Sequence, residues 1–294
     1  MWEHVEVGKD LQFVGESREG TLIDGGAFYP AVFAENSVVT LSTLTLTGDS
    51  SSFAIAAALN AVSGADVTLL DVRVGDIDAT VLAYAILSQD STIVIRDSFI
   101  EDNSVAESYL FEAVGGAVEI TNSVFWRNTV GGMWNFHRND LVIANNLVVD
   151  NVSDKMTDPI VFNDDNGANV QVVTNNTFAN SAFIGGSAVY IYGDIWFRNN
   201  IISQTGSGTG LSMANGSPMY NDVWGHGDNY SGLTVEGPGS LEANPWFIDA
   251  AAGDYHLNAA FSACIDAGDP NVYWNDADGS ANDMGAYGGP QGVW

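Results

Sequence analysis

Seven short stretches of this chain align on one another: VTLSTLTL (39–46), VTLLDVRV (67–74), IVIRDSFI (93–100), VEITNSVF (118–125), LVIANNLV (141–148), QVVTNNTF (171–178) and IWFRNNII (195–202). Thr43, Asp71, Asp97, Asn122, Asn145, Asn175 and Asn199 form a reference column, with successive intervals of 28, 26, 25, 23, 30 and 24 residues. Two residues before it, and again three after it, every copy is apolar. Four before it, only Gln171 breaks the rule. A period in the twenties built from alternating β-branched residues means one supersecondary unit stacked on itself. Leucine-rich repeats share the period, but their L-x-x-L-x-L frame is missing. Helical repeats need longer runs at a 3.6-residue period, and no copy has one. The expected fold is all-β: a single-stranded, right-handed parallel β-helix of about eight coils, stacked at the inter-strand spacing of roughly 4.8 Å.

The alternation also orients side chains. Positions −4 and −2 point inward, and the turn at the reference residue shifts the phase so that +1 and +3 point inward too. The +1 column contains Asn146, Asn176 and Asn200. Inward amides in register can donate and accept along the stack, so these three are expected to form an asparagine ladder. Surface turn asparagines are the rival reading.

Charge limits the partners. Eight Lys+Arg against 37 Asp+Glu give a net charge of −29. Such a surface repels nucleic acid and anionic membranes, which are excluded as primary partners. It also weakens the case for a polyanionic sugar unless divalent cations bridge. Cys264 is the only cysteine, so no internal disulfide forms. No run of 18 apolar residues predicts a membrane span. The opening MWEHVEVGKD is not a signal peptide. It fits an intracellular chain or one whose leader has been removed, and the uncapped first strand points to further residues upstream.

The expected organisation is β-helix coils over 1–203, a Gly/Ser-rich loop over 204–218, and a C-terminal region over 219–294 that caps the last coil. Trp246, Phe247, Tyr255, Leu257, Ile265, Met284 and Tyr287 supply its apolar cover. Insertions are expected between the strand stretches at 48–66, 101–116, 126–140, 150–169 and 179–193. The tail carries NPWFID (244–249), GDYHL (253–257), CIDAGDP (264–270) and NDADGSANDMGAYGGP (275–290). This series resembles the close of a family of bacterial right-handed parallel β-helix repeat proteins, the choice-of-anchor Q type, within the pectate-lyase-like superfold. KDLQFVGESREGTLIDGG and AENSVVTLSTLTLTG resemble its first turns. Asn244 and Ser262-Ala263-Cys264 depart from the usual pattern. The resemblance implies the β-helix fold and an extracellular or bacterial cell-surface location. The family's activities are largely unassigned, so it implies little about function.

Several residues are candidates for chemistry. In WNDADGSANDMG (274–285), Asp276, Asp278 and Asp283 offer hard oxygen ligands of the kind calcium takes. An EF-hand frame fails, because Gly285 stands where the closing carboxylate belongs. The rival is an Asp-rich turn held by its own backbone. Gly225-His226-Gly227 and Asp164-Asp165 resemble polygalacturonase motifs, but 60 residues part them and the remaining motifs are missing, so a glycoside hydrolase is rejected. A polysaccharide lyase needs a base and a group neutralising the sugar carboxylate. His137, Arg138 and Lys155 are the candidates. Trp134, Asp154, Asp164 and Asp165 are candidate substrate contacts on the same face, and Tyr190 and Tyr192, two apart on one strand, could stack sugars or simply cover a sheet face. Against this stands a solvated loop with Trp134 packed on the coil. Asn151, Asn175 and Asn229 lie in N-x-[ST] frames, to which little weight is given.

No complete catalytic set is visible. The expectation is an extracellular or surface β-helix module without catalysis, binding carbohydrate or serving adhesion. The alternative is a polysaccharide lyase or related carbohydrate-active enzyme. A polysaccharide is the candidate partner, and calcium the candidate cofactor.

Overall fold

Every residue of the reference column turns a corner in the left-handed region: Thr43 (φ 54°), Asp71 (55°), Asp97 (51°), Asn122 (49°), Asn145 (57°), Asn175 (52°) and Asn199 (56°). Asn and Asp tolerate this conformation better than other residues with a Cβ, which explains why six of the seven are Asx. The computed structural model describes residues 4–27, 29–50, 56–79, 84–156, 158–164, 171–216, 218–231 and 234–292. It shows a parallel β-solenoid of about seven turns.

The strands before the corners form face 1, including Val38–Ser42, Asp66–Leu70, Asp140–Ala144, Gln171–Thr174 and Trp196–Arg198. The strands after them form face 2, a nine-stranded sheet including Phe99–Glu101, Val124–Trp126, Leu147–Val149, Thr177–Ala179 and Ile201–Ser203. A second corner follows five residues after the first, at Asp76, Asp102, Arg127, Asp150, Asn180 and Gln204, each with φ between 50° and 57°. It leads to face 3, which includes Ala56–Val62, Thr129–His137, Ile160–Asn163 and Ala182–Tyr192.

Face 3 occupies the intervals expected as insertions. Its strands differ in length, and the pairings Tyr84/Ile86, Val105/Tyr109 and Ile184/Ser187 shift register, so no fixed period reveals it. The expected loop at 204–218 likewise holds the strand Gly206–Met213, which pairs with Ala182–Tyr192.

The two apolar columns fill the core. Leu41, Leu69, Ile95, Ile120, Ile143, Val173 and Phe197, with Leu46, Val74, Ile100, Phe125, Val148, Phe178 and Ile202, are all fully buried. Trp134 joins them: its ring lies 4.8 Å from Phe125 edge-on, 5.8 Å from Phe136 and 5.9 Å from Phe178. It is inside the solenoid, so the expected sugar-contacting role is corrected.

The asparagine ladder is present and longer than expected. Asn146 Nδ2 donates to Asn176 Oδ1 at 2.9 Å, Asn176 to Asn200 at 3.0 Å, and Asn200 to Asn221 at 3.1 Å. Ser98 and Ser123 extend it in one direction and Ser240 in the other, each hydroxyl accepting a backbone N–H. A second ladder at the second corner links Asn103, Asn128 and Asn151 at 2.9 Å per step and ends at Ser181. Each amide also donates to a carbonyl of an adjacent rung, so the turns carry their polar groups inside without orphaning them.

The start of the C-terminal region continues the stack: Asp222–Trp224 pairs with Ile201–Ser203, and Leu241 bridges to Asp222 above it; the expected cap on the last coil is only part of what the region does. The remainder, from Phe247 on, folds back along the flank of the solenoid. Asn145 Nδ2 donates to the carbonyls of Ala286 (2.9 Å) and Gly288 (2.6 Å), Asn175 Nδ2 to that of Asp283 (2.9 Å), and Asn199 Oδ1 accepts Asp269 N–H (2.8 Å). Tyr255, Ala286, Phe247 and Tyr287 pack on Leu147, Val149 and Ala179, while Cys264 and Met284 pack on Ile201. Side-on docking makes Leu147–Val149, Thr177–Ala179 and Ile201–Ser203 buried on both faces of the sheet. A sheet covered on both sides wants apolar runs rather than alternation. Arg198 clamps the joint, bonded to Asp269 at 2.6 Å, with Trp196 and Trp274 beside its guanidinium.

Candidate functional site

Face 3 carries the best candidate surface. Its strands alternate apolar-in and polar-out, so Phe111, Ala113, Trp134, Phe136, Ile160, Phe162, Val189 and Ile191 point into the core. The residues between them form two outward columns in register. One runs Glu112, Asn135, Val161, Tyr190; the other runs Val114, His137, Asn163, Tyr192. Parallel pairing holds consecutive members one strand spacing apart, roughly 4.8 Å. His137 and Tyr192 therefore lie on one strip, two rungs apart.

Hydrogen bonds order one end of the strip. His137 Nε2 lies 2.7 Å from Asn135 Oδ1, and Asn135 Nδ2 is 3.3 Å from Glu112 Oε2. With Asn135 Oδ1 as acceptor, His137 carries its proton on Nε2 and leaves Nδ1 as the lone-pair side of the neutral ring. The Tyr84 phenol, pushed up to about 12 by burial and by the Glu112 carboxylate, flanks the same group. Tyr109, also raised to about 12 by burial and by Asp158, donates to the Asp158 carbonyl at 3.4 Å. Tyr192 is 41% exposed, and Tyr190 is half-buried beside it.

The other candidates are scattered. Arg138 is an exposed corner residue (φ 57°). Lys155 is exposed and pairs loosely with Glu107 at 3.8 Å. Asp154 faces solvent, whereas Asp164 is buried, its N–H donating to the Tyr192 carbonyl at 2.7 Å. Asp165 lies outside the described residues. Five of the remaining cations brace the fold. Arg73 holds Glu101 (2.8 Å) and Asp76 (2.6 Å), Arg127 holds Asp102 (2.8 Å), Arg96 holds Glu119 (2.6 Å), Arg18 holds Asp71 (3.3 Å), and Arg198 holds Asp269.

The acidic turn is held by its own backbone, the rival to the calcium reading. Asp276 Oδ1 accepts Gly289 N–H at 2.5 Å and Asp283 N–H at 3.1 Å. Asp278 accepts Ser280 N–H at 2.9 Å, and Asp283 accepts Asp266 N–H at 2.7 Å. One oxygen of each carboxylate is thereby tied to a backbone donor of the turn or its neighbours. Among the described residues, no group of three or more His, Cys, Asp or Glu is arranged to hold a metal. His226 is half-buried, 3.3 Å from the Ile202 carbonyl, and burial lowers its affinity for a proton; it is a packed corner residue.

Glu112, Asn135 and Asn163, with Tyr84 and Tyr109, are the strip residues that the sequence reading missed. Their signal is the alternation in YLFEAV (109–114), MWNFH (133–137) and IVFN (160–163). The geometry makes the chain a parallel β-solenoid repeat protein. No protein-family model matches it, and no curated protein does so either. Among the described residues, no helix is long and apolar enough to cross a membrane.

Proposed function

We propose that this protein is a non-catalytic, carbohydrate-binding β-helix module of the extracellular or cell-surface kind, related to the choice-of-anchor Q type. The reading rests on the paired outward columns of face 3. They set two tyrosines, a histidine, two asparagines and a glutamate on adjacent rungs. Tyrosine rings stack on the apolar faces of sugars, and amide and carboxylate groups bond hydroxyls. Five arginines committed to ion pairs speak against a site built to neutralise uronic acids.

A polysaccharide lyase is the second reading, favoured by one observation: His137, Asn163 and Tyr192 share a column, which offers a base, a carboxylate-bonding amide and a phenol in line. A panel of neutral and uronic polysaccharides, with and without Ca²⁺, separates the two. Binding without unsaturated product supports the module, with Tyr192→Ala weakening it about five- to tenfold, as expected for a contact of about 1 kcal/mol. Ultraviolet-absorbing product abolished by His137→Ala supports the lyase. Silence on both counts removes the glycan reading.

A further inference from the structure

The folded-back tail forms a half-open pocket of about 310 Å³ that the face 3 strip does not include, lined by His256, Leu257, Ile265, Asp283, Met284 and Tyr287, with Gly288 and Gly292 at its edge. Two acceptors border it. Asp254 Oδ1 takes both the backbone N–H of His256 (3.0 Å) and its ring Nδ1–H (2.7 Å). In the neutral ring that bond places the proton on Nδ1 and leaves Nε2 as the lone-pair side. Asp283 spends Oδ1 on the Asp266 N–H at 2.7 Å, and among the described residues its other oxygen has no hydrogen-bond donor. Burial, with the neighbouring Asp276 and Asp266 carboxylates, pushes this carboxyl up to about 6.

The remaining walls are apolar. Met284 is fully buried, and Leu257 and Ile265 lie beside it. The His256 and Tyr287 rings stack at 3.7 Å and 22°, which makes one flat surface. The cavity is rigidly held. Asn175 bonds the Asp283 carbonyl, Asn145 the Gly288 carbonyl, and Gly285 N–H the Asn199 carbonyl at 2.7 Å. A Cβ at Gly288 would strike the Asp283 carbonyl, so only glycine lets the chain close there.

We propose that this cavity is a second ligand site, taking one uncharged, hexose-sized polyhydroxylated ring. Two adjacent hydroxyls donate to His256 Nε2 and to Asp283, while the ring's C–H face lies on Leu257, Ile265 and Met284. A purely apolar ligand would strand both acceptors. An anion would meet Asp283 in a chain of net charge −29. The assignment does not rest on the face 3 reading.

Titration of the whole protein with methyl β-glucopyranoside, methyl β-galactopyranoside and methyl α-mannopyranoside, followed by the imidazole proton resonances, tests it. His256→Ala assigns the His256 signal. The expected result is a saturable shift of His256 by at least one glycoside. Its apparent affinity should fall at least about fivefold in Asp254→Ala, which removes the acceptor that orients the ring, and in Asp283→Asn, and should be unchanged in Tyr192→Ala. No saturable His256 shift with any of the three overturns the proposal. So does binding that survives undiminished in Asp254→Ala. Loss of binding in Tyr192→Ala would move the ligand to face 3 and also overturn it.

Discussion

Asn176 shows how one residue holds several backbones. Its side chain accepts from Asn146 and donates to Asn200, to the Ile143 carbonyl and to the Thr174 carbonyl. Alanine there would orphan groups on three rungs, so Asn176→Ala should cost about 3 kcal/mol or more. Asn135→Ala on the outer strip should cost under about 1 kcal/mol. Urea midpoints for the pair decide the matter, and equal costs would sink the ladder as a source of stability.

Asp222 makes a pH-dependent prediction. It is fully buried and bonded by Ala243 N–H and the Cys264 thiol, and burial pushes its carboxyl up to about 7. The unfolded carboxyl titrates near 4. Between these values the folded chain binds the extra proton, so this residue's contribution is full below about pH 4 and is lost as pH rises through about 7. Asp222→Asn should therefore be more stable than the parent at pH 8, with the advantage shrinking towards pH 5. Melting temperatures of both chains across that range test the sign.

The residue columns were legible because the core requires them: −2 and +3 fill the interior, and +1 hides an amide. The second corner was equally regular, at +5, and its ladder stands at +6 as Asn103, Asn128, Asn151 and Ser181. That signal was in the sequence, masked by the varied residue types at +5.

Among the elements, the tail and face 2 depend on each other. NNLVVD and NNIISQ break the alternation that VTLLDVRV keeps, because a second layer covers them. This was the sequence sign of lateral docking, and a reading that placed the tail on the last coil had no use for it. Val149→Asp places a charge under Tyr255 and Tyr287. It should make the 234–292 region sensitive to limited proteolysis and leave the earlier rungs resistant. Thr47→Asp, on the same sheet but beyond the tail, should change nothing. The acidic turn gives a further expectation. Its carboxylates are bound by amides, so EDTA should shift the melting temperature by less than about 1 °C.

Face 3 was the least legible element. Unequal strand lengths and register shifts hid it, so 126–140 read as an insertion and Trp134 as a surface ring. Tyr190, Tyr192 and His137 were recoverable because alternation alone puts them outside.

At the scale of the whole molecule, a charge of −29 on 294 residues works against compactness. The few cations pair with carboxylates on neighbouring rungs but leave most acids uncompensated. Screening should therefore stabilise the fold. The melting temperature is expected to rise between about 10 mM and 500 mM NaCl, where the Debye length falls from about 30 Å to below 8 Å. A fall would mean that the arginine bridges outweigh the net repulsion.

The side-on tail also sets an order of events during synthesis. Asn145 and its partner Gly288 are 143 residues apart in the chain. The rungs through Ser203 can stack as they emerge, but the apolar outer face at Leu147, Val149 and Ile201 stays bare until the last residues arrive. At about 5–20 residues per second, the 89 residues from Ser203 to Gly292 take roughly 5–20 s. For that interval a nearly finished solenoid presents a sticky stripe to its surroundings. Yield should therefore depend on translation speed and on chaperones more than the stability of the finished fold would suggest.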